Sequence, residues 1–312
     1  MGRFLLRRLG FMVLALIGAT LLVFFVSRVG GRDPRYLYAQ EGGYGLSPAM
    51  WEELGRRLHL DKPLVVQYLM WLRDVARGDL GESLTDRRPV RDKLGERIPN
   101  TVRLALGAWL FATLMGVPLG VLSAVKRGTI WDYLGRAFAM MGQAAPPFWV
   151  GLMAIFLFSV KWRLLPTGTM GEGLAIRNYI MPSITLGWLA AAGYLRLTRS
   201  AMLEVLDAEF IKLARAKGVS EPLVIWKHAF RNALIPPLTL SALILAGFLA
   251  GAVVVETVFS WPGVGRLAYE AVMGDDYALI TGCVLVFTAG YLVLNFLVDI
   301  AYAYIDPRVR LG

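Results

Sequence analysis

Few of the residue types that perform covalent or metal chemistry occur in this 312-residue chain. It has two histidines, His59 and His228, and one cysteine, Cys283. A cysteine-built zinc site needs more thiolates than one chain supplies, and no His-Glu-x-x-His helix is present. No serine lies in a nucleophile–base pattern, and no Gly-x-x-x-x-Gly-Lys-Ser/Thr run exists to cradle a phosphate, so ATP hydrolysis is not expected in this chain. What remains is charge interleaved with apolar residues on short helices, which suits non-covalent docking. The richest stretch is Asp207 to Pro237, DAEFIKLARAKGVSEPLVIWKHAFRNALIPP. Leu203, Leu206, Phe210 and Leu213 recur at spacings of three and four, which aligns them on one helical face. Gly218 then ends that helix, Ser220 is a candidate N-cap and Pro222 sits in the first turn of a second helix. In that helix Leu223, Trp226, Phe230 and Leu234 repeat the spacing. The expectation is two amphipathic helices bent at Gly218-Val219-Ser220, presenting a polar elbow to water. The competing reading is a helix pair in the lipid interface, with Lys212, Arg215, Lys217 and Lys227 drawn to anionic head groups.

The elements that hold this elbow are membrane helices. With 56% hydrophobic and 18% charged residues, the chain is too apolar for an ordinary soluble domain. Six windows of 18 to 24 residues carry no Asp, Glu, Lys or Arg: Leu9–Ser27, Leu104–Val125, Ala137–Val160, Asn178–Leu195, Asn232–Val255 and Tyr277–Val298. Each can cross a hydrocarbon core of about 30 Å as a helix, and backbone satisfaction in lipid requires a helical bundle. Six crossings put both termini on one side. With the termini inside, the internal segments carry fifteen Lys and Arg against four in the two short external loops. That distribution favours cytoplasmic termini and a cytoplasmic elbow. The net charge of +10 therefore follows topology and does not form a nucleic-acid patch. The expected fold class is all-α and polytopic, arranged as residues 1–27, an external insert over 28–100, and a five-helix core over 101–312 that includes a cytoplasmic loop at 196–231. The amino terminus reads as an uncleaved first span, because no small-residue cleavage site precedes Arg28.

Three helices are expected in the external insert: Pro48–Leu58 after Ser47, a second capped by Asp61 and running to Arg77, and Val90–Ile98. The second has a Val65, Leu69, Leu72, Ala76 stripe expected to pack on the span ends. Pro118 in span two and Pro146-Pro147 in span three mark kinks. Glu256, Asp275 and Asp276 are candidates for charge selection at an outer mouth, with interfacial anchoring as the alternative. Asn295 and Asp299 share a face of the last span, where a carboxylate needs a partner such as Arg308.

Ala214-Arg215-Ala216-Lys217-Gly218, followed after nine residues by His228-Ala229-Phe230-Arg231-Asn232-Ala233-Leu234-Ile235-Pro236, resembles the cytoplasmic loop of permease subunits in ATP-binding cassette (ABC) importers. Lys212-Leu213-Ala214 stands where the general pattern has Glu-Ala-Ala, and Arg231 where it has proline. Both departures are usual in the dipeptide, oligopeptide and nickel branch. Gly78–Ser83, Arg97–Thr101, the loop Val255–Arg266 and the terminal Asp306-Pro307-Arg308-Val309-Arg310 are similar to the same branch, in the subunit with the longer external insert.

The resemblance implies a coupling helix that docks on a separate ATPase, through Asp207, Glu209, Ala214, Arg215, Ala216, Lys217, Gly218, Ser220 and Glu221. It further implies a second related permease, two ATPase subunits holding ATP and magnesium, an external substrate-binding protein, and no cofactor in this chain. Met140, Met141, Gln143, Trp149 and Asn295 are the candidate translocation-path residues, since thioethers and amides accommodate varied cargo. The function implied is uptake of di- or oligopeptides across the cell membrane. A nickel or other small-solute importer is the alternative within the class. An ion-driven secondary transporter is the rival outside it, and predicts ionisable residues near the midplane that the six windows lack.

Overall fold

The computed structural model describes residues 2–29, 35, 47–57, 59–168, 170 and 175–305. Among them the chain is helical, with one isolated β-bridge between Glu82 and Pro89. The helices are α1 Gly2–Val29, α2 Pro48–Arg57, α3 Leu64–Ala76, α4 Val90–Val125 and α5 Ile130–Ala144. They continue as α6 Pro147–Lys161, α7 Ile176–Leu206, α8 Glu209–Ala216, α9 Glu221–Ala233, α10 Ile235–Gly251, α11 Val253–Val258, α12 Val264–Met273 and α13 Tyr277–Ile305. The C-terminal Asp306–Arg310 motif, Leu58 and the side chain of Asp299 lie outside the described residues.

Among the described residues three helices are long and apolar enough to cross a membrane: Leu6–Phe25, Val90–Val125 and Tyr277–Val298. Two bent pairs raise the number to five, α5 with α6 at 106° and α9 with α10 at 54°. The remaining expected span, Asn178–Leu195, lies in α7 and is less apolar for a physical reason. Thirteen α7 residues are buried by neighbouring helices, so much of its surface needs packing and not lipid solubility. The third expected span is not one straight crossing. Pro146 and Pro147 supply no backbone N–H, and proline drives the residue before it out of the helical region; Ala145 accordingly has ψ 119° and Pro146 ψ 141°.

The chain divides into two compact units, Met1–Pro99 with Gly263–Gly312, and Asn100–Pro262. In the first unit α1 packs along α13 and α3 lies on α1. The buried face of α3 is not the expected stripe. Gln67 and Tyr68 are buried, Tyr68 Oη sits 3.0 Å from Thr20 Oγ1, and the Phe24 ring meets Tyr68 and Trp71 at 5.5 and 5.7 Å. Val65 and Leu69 are exposed, because the aromatic side a third of a turn away buries more area per residue. Asp61 does not cap α3, which begins after Pro63 without a side-chain cap. Pro99 does not separate a short helix from a span either: α4 runs unbroken from Val90 to Val125.

The second unit is organised around α7. A Cβ on Gly116 would lie 2.5 Å from the Ala191 carbonyl oxygen, one on Gly187 2.6 Å from the Ala108 oxygen, and one on Gly142 2.5 Å from Ala192 Cβ. Glycine is thus what lets α4 and α5 approach α7 at backbone contact, the small-residue mode of association available where lipid supplies no hydrophobic drive.

Candidate functional site

The elbow is built from two breaks in the chain and a widened helical turn. α7 ends at Leu206, and Asp207-Ala208 turn the backbone before α8 starts at Glu209, so the apolar series Leu203 to Leu213 is divided between two helices. α8 closes with a Schellman motif. Gly218 takes φ +77°, its N–H donates to Arg215 O at 2.9 Å, and Val219 N–H donates to Ala214 O at 3.2 Å. An L side chain resists that φ, which is the reason for glycine here. Ser220 is the N-cap of α9, with Pro222 in the first turn, but its hydroxyl makes no capping bond. Within α9 the stretch Val224–Phe230 widens into a π-helix before Arg231.

The elbow is anchored by its small and branched residues. Ile211, Val224, Ala229 and Ala233 are buried against Val121 and Ala124 of α4 and Ala201 and Met202 of α7. Phe210, Leu213, Leu223 and Trp226 face outwards, each 46–56% exposed. The elbow therefore presents exposed apolar side chains beside the exposed charges that the sequence pattern predicts. These four belong to the series whose spacing of three marks the helices as amphipathic, a pattern that does not say which of its residues anchor and which stay open. Charged residues pair along the rim. Arg215 donates through Nη2 to Glu221 Oε1 at 2.7 Å and through Nε to Oε2 at 3.2 Å, which holds its guanidinium above the ordinary arginine value. Lys212 binds Glu209 at 2.7 Å, and Asp207 lies 3.8 Å from Arg127. Exposed pairs of this kind contribute about 1 kcal/mol at most. Of the nine expected docking residues, Asp207, Glu209, Arg215 and Glu221 are rim charges. Lys217, Gly218 and Ser220 form the exposed turn, Ala216 is exposed, and Ala214 backs onto the anchor.

Beneath the elbow lies a cluster that no local spacing announces. Asp132, 2% exposed, accepts from Arg199 Nε at 2.8 Å and Nη2 at 3.1 Å, from Ser123 Oγ at 2.7 Å and from Gly128 N–H at 3.1 Å. One carboxylate thus joins the end of α4, the turn after it, the start of α5 and the elbow-proximal part of α7. With the glycine contacts above, it joins α4, α5 and α7 into one packed wedge. A buried charge held by a fork of two N–H donors and two further donors is satisfied.

The path candidates fall in both units. Met140, Met141 and Trp149 are exposed. Adjacent positions on a helix point about 100° apart, so Met140 and Met141 leave α5 in different directions. Gln143 Oε1 accepts from Arg196 Nη1 of α7 at 3.1 Å. Asn295 belongs to α13, in the other unit. The acidic candidates for charge selection are corrected in two places. Glu256 is fully buried and accepts from Thr101 Oγ1 at 2.7 Å. Nearby, Trp261 Nε1 donates to Asn100 O at 3.0 Å and Asn100 Nδ2 to Pro262 O at 2.9 Å. Asp276, also fully buried, accepts from Ser83 Oγ and from the N–H groups of Leu84 and Leu279. Glu256 ties α11 to α4 and Asp276 ties the Ser83–Leu84 loop to the start of α13, and neither presents its charge to a solute; of the three candidates only Asp275 is exposed.

The chain matches two family models: residues 1–105 match the N-terminal region of the binding-protein-dependent transport system membrane component, and residues 116–311 match the binding-protein-dependent transport system inner membrane component. It is 41% identical to the dipeptide transport system permease protein DppB of Escherichia coli K12, covering 99% of each chain. Identity is 40% to the di/tripeptide transport system permease protein DppB of Pseudomonas aeruginosa, over 98% of each. It is 38% to the glutathione transport system permease protein GsiC of Salmonella typhimurium, over 97% of each. In fold it is similar to a chain of the MetNI methionine ABC transporter in inward-facing conformations, with a TM-score of 0.54 and 20% identity over 69% of this chain and 95% of that one. The chain belongs to the inner-membrane components of binding-protein-dependent ABC transport systems, as a multi-pass, non-catalytic permease subunit that works with separate subunits for ATP hydrolysis and substrate capture.

Proposed function

We propose that this permease forms one half of the path by which a bacterial importer takes up di- or short oligopeptides, with the elbow as the point where ATP-driven motion enters. The observation that carries the substrate class is the full-length identity of 38–41% to permeases named for dipeptide, di/tripeptide and glutathione transport. The partners in this reading are a second, related permease, two ATPase subunits that hold ATP and magnesium, and a binding protein on the opposite face. The elbow lies on the cytoplasmic side.

The geometry supports a mechanical role for the elbow. An apolar knob of Phe210, Leu213, Leu223 and Trp226 stands proud of a charged rim and fits a cleft on another protein better than it fits water. Its base is buried in the ends of α4 and α7, and Asp132 binds Arg199 directly above. ATPase closure pushes the knob, and the α4–α5–α7 wedge moves as a body and shifts which side of the bundle is open. The ligand for this switch is the ATPase dimer, which must bind the two bundle arrangements with different affinity. Met140, Met141, Gln143, Trp149 and Asn295 are the path candidates in this reading.

The test is reconstitution. The permease, co-expressed with its partner permease, ATPases and binding protein, goes into proteoliposomes, and uptake of a labelled dipeptide is followed with and without ATP. ATP-dependent accumulation that requires the binding protein is expected. Accumulation driven by a proton or sodium gradient without ATP overturns the reading.

A further inference from the structure

One face of α7 is open. Leu189, Gly193, Arg196 and Ser200 recur at spacings of four, three and four; Leu189 is 48% exposed, nothing lies within 4 Å of a Cβ built on Gly193, and Arg196 and Ser200 are exposed. Beside it α5 turns Met140 and Gln143 outwards, one turn apart. Leu189 and Gly193 lie within the charge-free window Asn178–Leu195, Arg196 stands at its inner boundary and Ser200 beyond it, so a head group turned back from Arg196 enters the depth of the span, where an arginine facing hydrocarbon costs several kcal/mol.

The direction taken by Arg196 excludes an ordinary escape to the membrane surface. Gly142 packs against Ala192 and Trp188, which puts Gln143 level with about Ala192 on α7. The Arg196 guanidinium reaches Gln143 at 3.1 Å, so it points back along α7 by roughly four residues, or about 6 Å, away from the elbow. A snorkelling arginine would extend the other way. Among the described residues no carboxylate is paired with it, whereas Arg199, one turn on, is fully engaged by Asp132. One of the five guanidinium N–H donors is used on Gln143, leaving the fork free for a planar anion.

We propose that the α5–α7 groove lines the transport path and that Arg196, positioned by Gln143, takes the terminal carboxylate of the passing peptide. This rests on the peptide reading above. The bidentate match of guanidinium to carboxylate supplies the recognition, the side-chain-tolerant Met140 lies alongside, and the small Gly193 leaves room. The site selects by a group that free peptides share whatever their sequence, and leaves their side chains unread.

The experiment uses the complete importer in nanodiscs and proteoliposomes. Arg196→Gln should lower dipeptide uptake per ATP hydrolysed at least tenfold, and Arg196→Lys should restore part of it, with the binding protein's own affinity unaffected by either. In a Cys283→Ser background, Arg196→Cys should react with the aqueous reagent sulfonatoethyl methanethiosulfonate. Dipeptide-loaded binding protein with ATP should slow that reaction. Labelling that ignores cargo but slows as anionic lipid is added would assign the arginine to a head-group phosphate and overturn the proposal. Undiminished uptake by Arg196→Gln, alongside active wild type, overturns the carboxylate role alone. Failure of the wild type to move any dipeptide refutes the peptide reading instead.

Discussion

Replacing Asp132 with alanine is the sharpest perturbation of the wedge. The carboxylate is 2% exposed and takes four donors from three elements, and Arg199 keeps 22% of its side chain exposed. Removing the acid leaves a largely buried guanidinium without its counter-charge, together with Ser123 Oγ and Gly128 N–H short of an acceptor. Breaking a buried pair in this way costs about 3–5 kcal/mol. Arg199→Met alone should cost somewhat less, since it leaves Asp132 only Arg136, 3.7 Å away, as a counter-charge. The double variant Asp132→Ala/Arg199→Met leaves neither charge unpaired, so its loss should fall short of the sum of the singles by about 2 kcal/mol or more. Reversible unfolding in mixed micelles, followed by helical circular dichroism, gives the three differences. In the assembled importer, both singles should also lower uptake per ATP more than they lower ATP hydrolysis, because α7 no longer carries α5 with it. Single variants within about 0.5 kcal/mol of wild type, or strictly additive losses, would refute the wedge.

Gly218→Val tests the turn. The space around Gly218 is empty and only its φ of +77° opposes a side chain, so the cost is conformational, about 1–2 kcal/mol. ATP hydrolysis should persist while uptake falls, with membrane insertion unchanged in a protease-protection assay. At Gly116→Val a side chain would enter at 2.5 Å from the Ala191 carbonyl, and thermal inactivation of the purified subunit should shift by an amount corresponding to about 1–3 kcal/mol of overpacking. Leu213→Ala/Trp226→Ala removes exposed apolar area from the knob. Burial of each side chain is worth about 1.5–3 kcal/mol, so ATPase co-purification should weaken at least tenfold while folding, read by circular dichroism, is retained.

The helical, membrane-spanning class was legible because charge-free windows of spanning length have one physical solution in lipid. The turn at Gly218 was legible too, since glycine followed by a cap and proline has a local cause. Three things were not. Double proline signals a bend but not its angle, and the 106° between α5 and α6 depends on how the halves pack. The apolar stripe of α3 lost to its aromatic face because Thr20 and Phe24 of α1 offer Tyr68 a hydrogen bond and ring contacts, partners more than forty residues away. Asp132 and Arg199 are joined only in space, as are Glu256 with Thr101 and Asp276 with Ser83. Spacing along the chain identifies a charged residue without saying whether it faces a solute or a neighbouring helix. In the elbow the same spacing identified amphipathic helices correctly and left open which apolar residues anchor and which protrude.

The central claim is that a separate motor grips the knob formed by Phe210, Leu213, Leu223 and Trp226. Placing the photoreactive amino acid benzoylphenylalanine at Leu213, in the assembled importer, and identifying the cross-linked product measures this directly. The account predicts an adduct with an ATPase subunit whose yield changes when ATP is bound. Cross-links confined to lipid, or to the substrate-binding protein, would contradict it.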